Sequence, residues 1–280
     1  MTKKKSKKIC PFCISSELGL VFTYDSPSKI ESNFLIPEGA VFWREIHRCN
    51  NCGHFIEKFE KDQNKLYLEE YITATYKNDA GIRKTFEKIN ALNPSKSDNV
   101  QRIKYISKFC KNYWGKNSDI KNKLLDVGSG LGVFPYQMKK KGWNCTAIDL
   151  DPRLVSHHQN IIGISSLQGD LREQKLTEKF DLISFNKVLE HTENPIQILS
   201  CAKKFLSKNG LIYVELPDGE AAGYESKDRE EFLIGHIHVF SFVSYVLLVK
   251  KSNLQLISCE RIREPSSKYT LRGFMRIENE

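Results

Sequence analysis

The chain has 280 residues, of which 40% are apolar and 28% charged, so it is long enough for about two domains with a sizeable core. No apolar run approaches the roughly 18 residues of a membrane span, and the charged amino terminus lacks the apolar segment of a secretory signal. We therefore expect a cytoplasmic protein. The net charge of +9 includes five lysines in the first eight residues. We interpret these as a solvated tail, so nucleic acid is not a predicted partner.

Two C-x-x-C pairs mark the amino-terminal part of the chain, Cys10 with Cys13 and Cys49 with Cys52. Each pair places two thiolates on one tight turn, and two such turns complete a tetrahedral zinc site. The alternatives are unrelated cysteine pairs or a redox motif, but no strand–helix context for a thioredoxin motif is visible. We predict a structural Zn²⁺ held by these four cysteines.

The segment between the two pairs is long enough for a hairpin, with strands predicted at 18–24 and 40–48. His47 and His54 flank the second pair and are interpreted as neighbours of the metal rather than ligands, because four cysteines are available. The remaining cysteines are scattered and are interpreted as buried thiols without disulfides. They are Cys110, Cys145, Cys201 and Cys259.

Helical apolar spacing follows at 66–76, 82–92 and 100–113, with Asp98 as the candidate cap of the last helix. Three tyrosines of the first helix could face a substrate or pack in the core: Tyr67, Tyr71 and Tyr76. We predict three parts of the chain: a tail and zinc-binding module at 1–62, a helical lid or linker at 63–118, and an α/β domain at 119–280.

The rest of the chain is organised around a strand–turn–helix unit at 124–134, whose turn contains Gly128, Gly130 and Gly132. The spacing departs from the dinucleotide-binding fingerprint, because Val133 stands where the third glycine of that pattern would be. Glycine lets the main chain of such a turn approach a ligand closely, and the amides of the following helix then face that ligand. The unit therefore predicts a ligand site at the end of its strand.

Three further motifs follow in order: a strand at 145–151 that ends in acids, Gly169-Asp170-Leu171, and a strand at 180–186 that ends in Asn186. This order resembles the class I S-adenosylmethionine-dependent methyltransferases, with another Rossmann-like enzyme as the alternative. The resemblance implies an α/β, Rossmann-like seven-stranded sheet, preceded by the small zinc-binding β module and the helical segment. It implies S-adenosylmethionine as cofactor and assigns its binding to Asp126, Gly128, Ser129, Gly130, Gly132, Asp149, Leu150, Asp170, Leu171 and Asn186.

The resemblance also implies roles for the acids. Asp126 would receive the α-ammonium of the cofactor, and Asp149 would accept both ribose hydroxyls. Asp151 competes for the ribose, but Asp151-Pro152 more naturally begins the next helix. Asp170 would bind the adenine amino group, with the Leu171 amide on a ring nitrogen, and Asn186 would lie near the reactive methyl.

The stretch 186–191 resembles the E-V-L-E-H motif of quinone-biosynthesis O-methyltransferases, in which the acids and the histidine can hold a metal. Here Lys187 replaces the first glutamate. Because a cation would oppose a divalent ion, we predict no catalytic metal. Glu190 and His191 then either fix the loop or take part in catalysis.

A long polar stretch at 217–232 is interpreted as a functional loop. The following segment resembles the E-H-x-x-x-F-S segment of sugar C-methyltransferases, with His236 and Phe240-Ser241 matching. Gly235 replaces the glutamate, which argues against C-methylation by that mechanism. A neutral imidazole can still take a proton from a hydroxyl. We predict His236 as general base, with His191 and Asn186 as further catalytic candidates. A helix at 242–251 and strands at 254–261 and 269–277 complete the sheet.

Zinc-type cysteine pairs before such a domain resemble bacterial sugar methyltransferases. The expected activity is methyl transfer to a small molecule, a nucleotide- or carrier-linked sugar in polysaccharide or natural-product biosynthesis. Alternatives are an RNA methyltransferase, a quinone-type O-methyltransferase, and an interaction protein with a vestigial cofactor fold. The N-P-P-Y motif of amino methylation on bases is missing after the strand at 180–186. No pattern indicates an oligomeric state.

Overall fold

The computed structural model describes residues 9–27, 31, 42–59, 78–115 and 120–278. The predicted helix at 66–76 with its three tyrosines, the lysine tail, and residues 40 and 41 of one predicted strand lie outside this part of the chain. The strands are β1 (Leu18–Tyr24), β2 (Arg44–Cys49), β3 (Phe55–Phe59), β4 (Lys123–Val127), β5 (Asn144–Asp149), β6 (Ser165–Gln168), β7 (Phe180–Asn186), β8 (Leu206–Pro217), β9 (His238–Val239), β10 (Leu254–Arg263) and β11 (Tyr269–Ile277). The α-helices are α1 (Asp79–Asn90), α2 (Asp98–Trp114), α3 (Val133–Lys139), α4 (Pro152–His157), α5 (Pro195–Ala202), α6 (Gly219–Glu225) and α7 (Phe242–Lys251).

Seven strands form one sheet in the order β10-β11-β8-β7-β4-β5-β6. The strands from β8 to β6 are parallel, and β11 runs antiparallel to both β8 and β10. Because strand side chains alternate between faces, Leu124 and Leu125 belong to two different apolar cores. Such two-sided burial is typical of parallel sheets covered by helices. The predicted Rossmann-like fold class is confirmed.

Helices α1 and α2 pack on this sheet. Phe86 and Ile106 share an apolar core with Leu124 of β4. The cap of α2 is Ser97, whose side chain accepts a hydrogen bond from the main chain of Val100, so the prediction of Asp98 as cap was wrong by one residue. Asp98 instead accepts hydrogen bonds from the main chain and the hydroxyl of Ser266, at 3.0 and 2.6 Å.

The amino-terminal module is an antiparallel sheet in the order β1-β2-β3-β9. The hairpin predicted between the cysteine pairs is confirmed, since β1 pairs with β2. The last strand, β9, has two residues and belongs to the carboxy-terminal half of the chain: Phe55 pairs with Val239, and Ile56 with His238. Phe12 of the module lies in the same apolar core as Leu248 of α7. The module is therefore packed into the α/β domain.

The polar stretch at 217–232 is not a loop throughout. It contains α6, which Asp218 caps by accepting hydrogen bonds from the main chain of Glu220 and Ala221 at 3.1 and 3.3 Å. The helix was not predicted because the stretch is rich in glycine and charged residues, which are typical of loops. No helix in the described ranges combines the length and apolar composition of a membrane span.

Candidate active site

The glycine turn lies where β4 ends and α3 begins. All three glycines have positive φ: 65° at Gly128, 52° at Gly130 and 69° at Gly132. A Cβ on Gly128 would lie 2.7 Å from Val188, and one on Gly132 would lie 2.8 Å from the ring of His158. A Cβ on Gly130 would meet no atom within 4 Å. Side chains therefore fill the space beside Gly128 and Gly132. The space beside Gly130 is open, so a ligand can approach there.

Asp126 lies beneath this turn and is buried. One carboxylate oxygen accepts from the hydroxyl of Ser184 at 2.6 Å and the amide of Asn186 at 2.9 Å, and the other accepts from the hydroxyl of Ser129 at 2.8 Å. Burial raises the Asp126 pKa to about 6, against these hydrogen bonds. The carboxylate thus ties the turn to the end of β7.

Asp149 ends β5, next to the turn. Its carboxylate accepts from the main chain of Gly130 at 2.8 Å and from that of Asp151 at 3.1 Å, and burial raises its pKa to about 6. The expectation that Asp151 begins the next helix is confirmed, since it caps α4 and pairs with Arg153. Leu150, the residue after Asp149, is 43% exposed.

Asp170 follows β6 and caps the short turn Leu171–Glu173. Its two oxygens bind Arg172 through the main chain and the guanidinium at 2.7 to 2.9 Å. The hydrogen bond from Arg172 holds the Asp170 pKa below its usual value. Sequence reasoning missed Arg172, although an arginine two residues after a capping acid is a recognisable signal.

A second group of side chains meets after β7. The ring of His191 lies 4.8 Å from the ring of His236, and one ligand-type atom of each, with one of Glu190, lies within 4.8 Å of the others. His191 Nδ1 donates to the carbonyl of Gly235 at 2.9 Å, and His236 Nδ1 donates to the carbonyl of Glu231 at 2.8 Å. A carbonyl can only accept, so each proton is on Nδ1 and each Nε2 carries a lone pair.

Charge and burial set the basicity of this group. Burial lowers the His236 pKa to about 4, aided by Lys187 and other cations. Burial raises the Glu190 pKa to about 8, and neither of its oxygens has a hydrogen-bond partner among the described residues. Lys187 donates to Thr270 and pairs with Glu264 at 3.3 Å. Lys187 is therefore ion-paired, and its charge still acts on both His236 and Glu190.

The four cysteines of the module come together. Cys10 Sγ lies 3.5 Å from Cys52 Sγ, and Cys13 Sγ lies 3.4 Å from Cys49 Sγ. Gly53 and Ile14, the residues after the two pairs, have φ of 72° and 64°, and each donates its main-chain N–H to the carbonyl of the first cysteine of its pair at 2.9 Å. Four thiolates around zinc at about 2.3 Å would be slightly further apart. The donor set fits zinc, and His47 and His54 are not part of it.

His54 is instead joined to the α/β domain. Its ring is within 3.0 Å of the His238 ring and 3.2 Å of the Ser244 hydroxyl, and both histidines are buried beside Phe12. Ser241 also donates to the carbonyl of Cys52 at 2.5 Å. The second cysteine turn is therefore bonded directly to the segment around β9.

A glycine turn after the first parallel strand, acids after the next two and a polar residue after the fourth define an S-adenosylmethionine-dependent methyltransferase. The family model described as "Methyltransferase domain" matches residues 86–259, and the chain belongs to this family.

Curated relatives agree with this class, and a solved structure has the same fold. The ubiquinone biosynthesis O-methyltransferase of Glaesserella parasuis is 31% identical over 58% of this chain and 67% of that protein. That of Pasteurella multocida is 32% identical over 46% of this chain and 54% of that protein. The chain thus spans about half to two thirds of these relatives. The structure of an S-adenosylmethionine-dependent methyltransferase from Clostridium acetobutylicum has the same fold, with a TM-score of 0.51 at 11% identity over 71% of this chain and 99% of that one.

Proposed function

We propose that the acceptor is a small hydroxylated molecule, a nucleotide- or carrier-linked sugar, methylated on oxygen. The observation that carries the proposal is a pocket of about 380 Å³ beside the end of β8, within the size range of small-molecule sites. Six of its eight lining residues are charged or polar: Asp98, Gln101, Glu215, Arg263, Glu264 and Arg272. Such a lining suits the hydroxyls of a sugar better than an apolar prenyl tail.

The pocket adjoins the proposed reacting centre. Glu215 pairs in register with Asn186 across β7 and β8, and its carbonyl accepts from the main chain of Lys187 at 3.1 Å. Glu264, which also lines the pocket, pairs with the Lys187 side chain. An acceptor in the pocket would therefore reach the end of β7, next to the glycine turn.

We assign cofactor binding to the glycine turn, Asp149 with Leu150, and the Asp170–Leu171 turn, as the family resemblance implies. S-adenosylmethionine supplies an electrophilic methyl group when bound. Asp126 would orient Asn186 and Ser129 toward that group. The open face of Gly130 and the remaining lone pairs of Asp149 support this fit. The protein mainly aligns donor and acceptor.

His236 is the proposed general base. Its lowered pKa keeps it uncharged at neutral pH and makes it a weaker base than a free imidazole, and the hydrogen bond to Glu231 places the acceptor lone pair on Nε2. Gly235, at a φ of 90°, has a conformation that a glutamate would rarely adopt. This supports oxygen rather than carbon as the acceptor atom.

The test is turnover of nucleotide sugars, followed by release of S-adenosylhomocysteine. We expect His236→Ala to slow turnover about 10²–10⁴-fold and to leave cofactor affinity nearly unchanged. His238→Ala should lower stability more than turnover, because His238 packs against His54. Full turnover by His236→Ala together with its loss in His191→Ala would move the base to the loop after β7. Tight, steeply salt-dependent RNA binding would favour the RNA alternative.

A second candidate is O-methylation of a quinone-type phenol. The relatives' names and the Glu190–His191–His236 group favour it, since a carboxylate and two imidazoles are a common metal-ligand set. Turnover of catechols that requires a divalent ion and is abolished by a chelator would support this candidate over the sugar.

We also propose one structural zinc in the four-cysteine group and a location in the cytoplasm, where thiols stay reduced.

A further inference from the structure

We propose that Arg44 and Glu57, on the zinc-binding module, are positioning residues that hold the main chain at residues 234–235 and thereby orient His191 and His236. The effect on turnover rests on the proposed function. The orientation of the His191 and His236 rings does not, because it can be measured in the free protein.

The contact begins with strand pairing. β3 pairs with β9, and the main chain of Glu57 donates to the carbonyl of Ile237 at 3.1 Å. The module's sheet therefore continues into the segment that carries His236. Two-residue pairing is a weak attachment by itself, so side chains must supply the rest.

A cluster of buried charged side chains strengthens this attachment. Arg44 is 1% exposed and donates to Glu57 at 2.9 Å and to the carbonyl of Phe232 at 2.6 Å. The other Glu57 oxygen accepts from the main chain of Gly235 at 3.3 Å. Glu31 pairs with Arg44 at 3.0 Å and accepts from the main chain of Ile234 at 2.6 Å. Buried charges with several hydrogen bonds define one geometry, because any displacement leaves a charge unpaired.

The same residue, Gly235, also contacts the histidines. Gly235 binds Glu57 through its N–H and His191 through its carbonyl. His236 follows Gly235 directly and lies against the His191 ring. Movement of the Gly235 main chain would release the proton on His191 Nδ1 to either nitrogen and would turn His236. Arg44 and Glu57 thus act on the reacting groups through this main chain, and neither is among the described residues that line the acceptor pocket.

The experiment measures the ring nitrogens of His191 and His236 by ¹⁵N-labelled long-range NMR, assigned with His→Gln variants. Wild-type protein should show both as Nδ1–H tautomers. Glu57→Gln and Arg44→Lys should each give mixed tautomers at His191 and at least tenfold lower kcat, with cofactor KM changed less than twofold. Glu45→Gln, a change in the same module at a pair with His47, should change none of these.

Unchanged His191 and His236 spectra in folded Glu57→Gln protein would overturn the inference. If that variant does not fold, Arg44→Lys and Glu57→Asp decide the question by the same spectra. Altered tautomers in a protein that methylates no sugar would uphold the positioning role and contradict the proposed function.

Discussion

The change Asp149→Asn tests the proposed cofactor site most directly. Asparagine has nearly the same size, but it replaces one acceptor oxygen with a donor. Each oxygen of Asp149 already accepts one main-chain hydrogen bond, from Gly130 or Asp151, and retains a lone pair for a ribose hydroxyl. Hydrogen bonds to a charged group contribute about 1.5–3 kcal/mol. We therefore expect the Kd for S-adenosylmethionine, measured by calorimetry, to rise about 10- to 150-fold.

A second ligand separates the ribose contact from an effect on the turn. Asparagine could disturb the Gly130 amide as well, and that disturbance would weaken every ligand of the site. An S-adenosylhomocysteine analogue without the 2′- and 3′-hydroxyls removes the same contact from the ligand side. Wild-type protein should bind the analogue more weakly than S-adenosylhomocysteine, whereas Asp149→Asn should bind the two nearly equally.

The matched control is Asp151→Asn, which keeps a good capping side chain on α4 and loses only the pair with Arg153. Its affinity should stay within twofold of wild type. If Asp149→Asn kept full affinity, or lost it equally for both ligands, the assignment of Asp149 to the ribose would be refuted.

Three further outcomes are expected. Cofactor affinity should be full well above pH 6 and should fall as the pH drops through 6, because burial raises the pKa of Asp149 to about 6 and protonation removes the carboxylate that the ribose requires. Burial also raises the pKa of Asp126 to about 6, so Asp149→Asn should reduce this fall without abolishing it, and a flat wild-type profile would contradict the assignment. Elemental analysis should find about one zinc per chain in protein purified without chelator, lost in Cys49→Ser and retained in Cys259→Ser. In denaturant unfolding, Gly132→Ala should lower the free energy of unfolding by about 1–3 kcal/mol more than Gly142→Ala does. Both glycines have positive φ, but only a Cβ at residue 132 would contact neighbouring side chains. Equal losses of stability in the two variants would show that the turn can adapt.

The fold was predictable where neighbouring residues carry the pattern. The glycine turn, the strand-end acids and the continuous apolar runs are local signals, and they placed β4, β5, β7, β10 and β11 of the seven-stranded sheet. The cap of α2 was misplaced by one residue because Ser97 and Asp98 are both good caps, and only the main-chain conformation distinguishes them.

The site was less predictable because its contacts are distant along the chain. Glu190 and His236 lie in separate motifs, and nothing local indicates that they meet. β9 has only two residues and no strand pattern of its own, so its pairing with β3 was missed. The lowered pKa of His236 depends on burial and on Lys187, neither of which can be derived from the residue type.

Because β3 pairs with β9, the amino-terminal sheet stays incomplete until the carboxy-terminal half of the chain has been synthesised. His54 and His238 lie 184 residues apart, a distance that a ribosome covers in roughly 9–37 s at typical elongation rates. During that time the cysteine turns can already close, but one edge of β3 has no neighbour. Open edges recruit strands from other chains. A nascent chain stalled before residue 238 would therefore display an uncapped edge beside Phe55, and it would be the form of this protein most prone to aggregate.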